Sequence, residues 1–226
     1  MRPAGPTART TLRRHRERAG YDRATIEAIL DEGFICHVAG VVDGTVRMIP
    51  TAYGRDGDRL LLHGAAANPV LKAAAAGVEL TVTVTLVDGL VLARSTFHHS
   101  VNYRSVVIYG TAAEITEPAA KERALARIVD HMLPGRTAEA RGPNPSELAQ
   151  TRVVSPPIGE ASAKVRAGGP VDGDEDLALS VWAGVLPLRT AVGAPEADAA
   201  HPPAPGVAGP AGAVQPGRWW SPGGAC

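Results

Sequence analysis

"ELTVTVTLVDGLVLARSTFHHSVNYRSVVIYG", residues 79–110, decides the fold. Apolar and polar residues alternate from Glu79 to Val87, the pattern of a strand with one face on a core and one face outward. Asp88-Gly89 then signals a two-residue hairpin, which predicts that "LVLARS" returns as the next strand. A further strand is expected over about Tyr103 to Ile115. Between them stand His98 and His99. Adjacent side chains on a strand point to opposite faces, so a metal site on this pair is set aside and no metal is expected.

The same hairpin chemistry recurs upstream. "FICHVAGVV" (Phe34 to Val42), Asp43-Gly44 and "TVRMIPTAY" (Thr45 to Tyr53) read as strand, turn and strand. Pro50 has no N–H to give to a ladder, so its strand should lie at an edge or carry a bulge there. "RLLLHG" (Arg59 to Gly64) is another strand, followed by a short helix capped by Asn68, with Pro69 in its first turn and Gly77 as its stop. Asp22 caps a first helix, with Tyr21 and Ile26 placed for a hydrophobic staple, that ends at Gly33. Leu125, Ile128, Val129 and Met132 have helical spacing, and another short helix is expected from Asn144. "SAKVR" and "LALSVWAGVLPL" read as two late strands. Six to eight strands in antiparallel hairpins with few helices predict a mainly β fold with flanking helices: a split β-barrel of antiparallel Greek-key type.

The chain has 226 residues, 23 of them basic and 23 acidic, so nothing in bulk points to nucleic acid or to an anionic membrane surface. Arg2, Arg9, Arg13, Arg14, Arg16 and Arg18 make residues 1–20 an Arg-rich arm, expected to pack on its own domain. Residues 21–193 form that domain, and the Ala/Pro/Gly-rich stretch 194–226 is expected to be disordered. No stretch approaches a membrane span and no signal peptide is predicted. Cys36 and Cys226 lack metal-motif spacing and read as reduced thiols in a cytoplasm. The nucleophile elbow, the phosphate-binding Walker loop, the dinucleotide fingerprint and the H-E-x-x-H motif are all missing from the sequence. "LHGAAANPVLKA" offers either a helix N-terminus to a phosphate or a plain strand-to-helix connection in which Asn68 only caps.

"TTLRRHRERAGYDRATIEAILDE", "MIPTAYGRDGDRLLLHGAAANPVLKA", "VTVTLVDGLVLARSTFHHSVNYRSVVIYG" and "EASAKVRAGGPVDGDEDLALSVWAGVLPL" resemble, in order and spacing, a branch of the pyridoxamine 5′-phosphate oxidase-like superfamily. That branch holds small flavin-nucleotide-binding proteins and lies close to the nitroimidazole reductases. The resemblance spans roughly residues 9–190. It implies a homodimer with FMN at the subunit interface; FAD, a deazaflavin or haem are the alternatives. Met48, Ile49, Pro50 and Thr51 would run along the flavin ring. His63, Gly64, Ala65, Ala66, Asn68 and Lys72 would surround the ribityl chain and phosphate. Asn102, Tyr103, Arg104 and Ser105 would face the cofactor from the strand after the histidines, with Trp182 packing nearby.

The resemblance also departs at one place. Many relatives carry a Ser-Arg-like pair where this chain has Asn68-Pro69, which shifts phosphate charge onto Lys72, Arg47 and Arg104. The implied function is an FMN-binding oxidoreductase acting on an unidentified small molecule, with NAD(P)H as a possible electron donor. The alternative is a non-catalytic flavin, deazaflavin or haem carrier. His98 and His99 line the substrate side or hydrogen-bond a dimer partner; both readings stay open.

Overall fold

Asp43 and Gly44 both take positive φ, 51° and 74°, so the first hairpin closes on the two-residue turn that its Asp-Gly predicts. The computed structural model describes residues 6–203. Arg2 of the arm, and Trp219, Trp220 and Cys226 of the tail, lie outside the described residues, as does the expected disorder beyond residue 203.

In chain order the elements are β1 (Ala19–Gly20), α1 (Arg23–Glu32), β2 (Ile35–Val42), β3 (Thr45–Asp56), β4 (Arg59–Ala65), α2 (Pro69–Ala75) and β5 (Glu79–Leu92). Then come β6 (Ser100–Thr111), β7 (Ala113–Glu114), α3 (Pro118–Met132), α4 (Pro145–Gln150), β8 (Thr151–Ser155), β9 (Glu160–Arg166) and β10 (Gly184–Pro187). Strands lie in the order β1-β9-β6-β5-β2-β3-β4-β8-β7, with β10 added to β5, and every pair is antiparallel. This is a split barrel. The split falls on β3, which pairs with β2 over Thr45 to Ala52 and with β4 over Tyr53 to Asp56.

The interior is filled from the alternate positions of the strands. Val38, Tyr53, Leu60, Leu62, Leu80, Val82, Val84, Val106 and Ile108 are buried there, closed at the ends by Leu30 of α1 and by Val70 and Leu71 of α2. A second cluster, Leu61, Ala124, Ile128 and Val153, seats α3 on the other face of β4. Covering both faces explains why Leu60, Leu61 and Leu62 are all buried, at about 1.5–3 kcal/mol for each such side chain. Cys36 belongs to the same interior; burial pushes its thiol up to about 12, so it is an inert core residue.

Capping follows the sequence closely. Asp22 accepts from the Thr25 N–H at 2.8 Å, and Asn144 and Glu147 form a reciprocal capping box on α4. Gly33 stops α1 without a left-handed turn (φ −74°). A Cβ there would lie 2.6 Å from Val84 Cγ1 and 2.8 Å from Tyr53 Oη, so the glycine is needed for close packing. Pro50 lies opposite His37, in the half of β3 whose second edge is unpaired. Pairs alternate outward from the hydrogen-bonded Val42–Thr45 pair, which makes His37–Pro50 a non-bonded pair and leaves the missing N–H at the free edge.

Three expectations need correction. Asp88-Gly89 makes no hairpin: neither residue takes positive φ, and β5 continues through it to Leu92. The register shifts between Val87 and Gly89, so Asp88 is the extra residue of a bulge. Gly89 serves the close approach of β10, whose Leu186 carbonyl oxygen would lie 3.0 Å from an added Cβ. The strand expected over residues 103–115 is β6 plus β7, starting three residues earlier and breaking at Ala112. Of "LALSVWAGVLPL" only Gly184–Pro187 is strand, because β5 offers it just the edge at Gly89–Leu92. Two strands were not foreseen: β1 is only two residues long, and β8, "TRVVS", is short and runs into Pro156-Pro157.

The arm is pinned by charge. Arg9 donates to both Glu79 and Glu160, lies 4.5 Å over the Tyr109 ring, and β1 extends the sheet beside β9. The hydrogen bonds from Arg9, then Thr7, hold Glu160 well below its ordinary 4.5, at about 2. A carboxylate depressed in this way contributes stability above its unfolded pKa and loses it as pH falls through the folded value. Amide exchange at Thr11 and Leu12 should therefore rise between pH ~4.5 and ~2 while that of β5 stays protected. Glu160→Gln should flatten the dependence.

Gly54 tests the α3 packing. A Cβ there would lie 3.1 Å from the Ile128 Cα and 3.2 Å from the Arg127 carbonyl oxygen, both backbone atoms. Gly54→Ala should destabilise by about 1–3 kcal/mol in denaturant titrations, because the helix as a whole has to move.

Candidate functional site

The sheet presents an outer face rich in hydroxyls. Thr81, Thr83 and Thr85 of β5 stand opposite Tyr109, Val107 and Ser105 of β6 and alternate with the buried Leu80, Val82 and Val84. On the other side of β5, the rows continue through His37 of β2 to Pro50 of β3, and through Ala39 to Met48. The free half of β3 is exposed, with Met48 at 59% and Val46 at 69% of full exposure.

The residues expected to hold a cofactor fall into two groups. Met48, Ile49, Pro50 and Thr51 meet His63, Gly64, Ala65 and Ala66 where β3 and β4 begin to part; the Thr51 hydroxyl donates to the His63 carbonyl at 3.4 Å. Asn68 and Lys72 adjoin this group on α2, held by the Asn68 N–H donating to the Ala65 carbonyl at 2.9 Å. Asn102, Tyr103, Arg104 and Ser105 sit on β6, with β5 and β2 between them and β3. At strand spacing that separates the groups by about 14 Å. Trp182 is 62% exposed, just before β10, with its ring against Gly184.

Within the first group the helix offers no free donors. The Asn68 carboxamide oxygen accepts from the Val70 and Leu71 N–H groups at 3.0 and 3.2 Å, and Pro69 has none. A phosphate at this corner would rest on side chains. The Lys72 and Arg47 side chains are exposed cations with no hydrogen bond or ion pair among the described residues. His63 Nδ1 is buried with no partner among the described residues, and burial pushes this imidazole below its ordinary pKa, so it is neutral near pH 7. An uncharged imidazole with an unused ring nitrogen beside a hydroxyl and a small-residue turn fits a flavin.

The second group is tied into the protein. Four of the five Arg104 N–H bonds are engaged: Nε and Nη2 grip Asp88 at 2.9 and 2.7 Å, and Nη1 and Nη2 grip Glu32. These bonds raise the Arg104 pKa further, and Arg104 locks the β5 bulge to the end of α1. Asn102 is buried; it accepts from Arg166 and donates to the Gly168 carbonyl at 3.1 Å.

Residues 96–98 form a 3₁₀ turn, not strand, so the two histidines are not constrained to opposite faces of a sheet. His99 Nδ1 donates to the Ser95 carbonyl at 2.9 Å, which fixes the proton on Nδ1 and leaves Nε2 with a lone pair. That is the arrangement of a ligating imidazole, and Phe97, 88% exposed, projects from the same turn. Nothing in the sequence marks the turn, and the pair was set aside on the side-chain geometry of a strand.

Residues 22–165 match the family described as Pyridoxamine 5′-phosphate oxidase. The chain belongs to this family. Flavocytochrome Anf3 from Azotobacter vinelandii is 38% identical with TM-score 0.85, the likeness covering 92% of this chain and 97% of that one. An FAD and heme binding protein from Mycobacterium smegmatis is 40% identical with TM-score 0.76, covering 89% and 95%. A structure from Bacteroides thetaiotaomicron, described as a candidate 5-nitroimidazole antibiotic resistance protein, is 20% identical with TM-score 0.55 over 65% of this chain and 86% of that one, and shows the fold alone. No curated protein matches the chain. Among the described residues no helix is long and apolar enough to cross a membrane.

Arg104→Ala separates support from ligand contact. Removing the guanidinium leaves Glu32 and Asp88 facing each other, which should cost about 1–2 kcal/mol of stability at this partly exposed site. Affinities for FMN and riboflavin should fall together. Lys72→Ala should weaken FMN and spare riboflavin. A loss confined to FMN in Arg104→Ala, read by fluorescence titration, would place this residue on the phosphate.

Proposed function

We propose that the protein binds a flavin, FAD in preference to FMN, together with haem, and moves electrons between them as a homodimer. The observation that carries this reading is its likeness, at 38% and 40% identity over nearly the whole chain, to a flavocytochrome and to an FAD and heme binding protein. When bound, the flavin supplies hydride and electron chemistry and the haem one-electron chemistry. The chain supplies the surroundings. Lys72 and Arg47 are cations unpaired among the described residues and suited to phosphate, His63 offers a neutral ring nitrogen, and the β5 and β6 hydroxyls offer hydrogen bonds without charge. His99, with its Nδ1 turned to the Ser95 carbonyl, would hold the haem iron through Nε2.

The two groups of expected residues lie about 14 Å apart on the outer face, with β5 and β2 between them. A second copy against the outer face would cover Val46, Met48, Val87 and Leu90, which are otherwise exposed, and would close the site.

The protein should purify coloured, with flavin bands and a Soret band, and its extracted flavin should run as FAD. His99→Ala should lose the Soret band and keep the flavin. Anaerobic NADH or NADPH, or dithionite if neither donates, should bleach the flavin and then shift the haem bands. A yellow protein carrying FMN without haem, turning over a small substrate, would replace this reading with the simpler oxidoreductase. A colourless protein that ignores added FMN, FAD and haemin would overturn it. Sedimentation of the loaded protein should give a dimer at micromolar concentration.

A further inference from the structure

We propose that His98, Asp172 and Asp176 form a binding site for one divalent cation of the Zn²⁺ class. The site adjoins the turn that carries His99, but the argument for it does not rest on the flavin and haem reading. One ligand atom from each residue lies within 4.8 Å of the other two. His98 comes from the turn between β5 and β6, and both aspartates come from the loop that follows β9. Ligands at about 2.0–2.2 Å from a tetrahedral ion stand roughly 3.3–3.6 Å apart, so modest side-chain shifts would complete the set.

Two further observations point to an ion. His98 Nδ1 is shut off from solvent and has no hydrogen-bond partner among the described residues. Asp176 Oδ2 lies 3.8 Å from it, too far for a hydrogen bond and close enough to share a cation. A buried ring nitrogen facing two carboxylates across a small gap is poorly satisfied as it stands, and a cation would use all three groups. Asp172, its side chain only 2% exposed, is already fixed by the Arg94 N–H at 2.8 Å and the Arg94 guanidinium at 2.9 Å. Those bonds orient the carboxylate, as a metal ligand's outer contacts do. The Arg94 charge offsets one carboxylate, so the site carries about one net negative charge. An imidazole nitrogen in the set favours Zn²⁺ or a similar transition ion over Mg²⁺ or Ca²⁺. Bound there, the ion would clip the loop after β9 to the turn that carries Phe97 and His99.

The test uses the full chain, stripped with chelator and titrated with ZnCl₂ by calorimetry and thermal unfolding. One ion should bind per chain. At ~100-fold excess over Kd, Tm should rise by about 5–10 °C. His98→Gln and Asp176→Asn should each weaken binding by at least about 10–100-fold, with the metal-free Tm unchanged. His201→Gln is the control for an exposed histidine, since His201 pairs with Asp198 at 3.4 Å on the surface, and it should leave the affinity intact. Absence of saturable binding, equal binding in all variants, or an equal response to MgCl₂ or CaCl₂ would overturn the assignment. So would loss of the Soret band in His98→Gln with Zn²⁺ binding intact, which would make His98 a haem ligand.

Discussion

Tyr53 marks the point at which β3 leaves β2 for β4, and the remaining architecture depends on that change of partner. Its ring is fully buried, its hydroxyl donates to the Leu30 carbonyl at 2.6 Å, and His131 of α3 lies 4.9 Å away, ring to ring. His131 in turn approaches the Gly33 carbonyl with Nε2 at 2.7 Å. One side chain thus draws the end of α1, the end of α3 and two sheets to a common point. A buried phenol without that carbonyl would cost about 1–3 kcal/mol, so the contact also fixes where the switch occurs. Upstream of it, the free half of β3 has no second strand, and there the apolar edge meets the proposed ligand face.

Charge is handled in two distinct ways. Arg9, Arg55, Arg94 and Arg104 are each held by carboxylates and act as fasteners between segments distant in sequence. The Arg104 cluster is the most consequential of these, because it stabilises the bulge that lets β5 run on past Asp88 to meet β10. Lys72 and Arg47 have no such partners among the described residues and border the exposed half of β3 and α2. Cations bound in pairs hold a fold together, whereas unpaired cations beside a neutral, hydroxyl-lined face are suited to an anionic ligand. The contrast between Arg104 and Lys72 is one that residue type alone could not draw.

Much of the fold was legible because its signals are local. Asp43-Gly44, the caps at Asp22, Asn68 and Asn144, and the alternation after Glu79 are each decided within a few residues, and each holds in the structure. Asp88-Gly89 shows the limit. Its dipeptide is the same as Asp43-Gly44, but β6 on one side and β10 on the other keep the chain extended, so long-range pairing overrides local turn preference. β8 was hidden for the converse reason: five residues, three of them buried, carry too little pattern to stand out. The candidate site was legible only as two groups of residues. Their relation across β5 and β2, and the engagement of Arg104, are set by register and by side chains from distant segments.

The histidine turn depends on the same long-range pairing. Ser95 accepts from the Phe97 and His98 N–H groups and from His99 Nδ1, through its side chain and its carbonyl, so one residue organises the whole turn. The turn follows β5 only because the bulge at Asp88 carries that strand beyond the place where a hairpin would have ended it. Had Asp88-Gly89 turned the chain, residues 94–99 would not project from the far end of β5 toward the loop after β9, and Arg94 would not meet Asp172. The exposed imidazole of His99, the occluded nitrogen of His98 and the aspartates facing it are therefore consequences of a single extra residue in one strand, held in place by a guanidinium on the next.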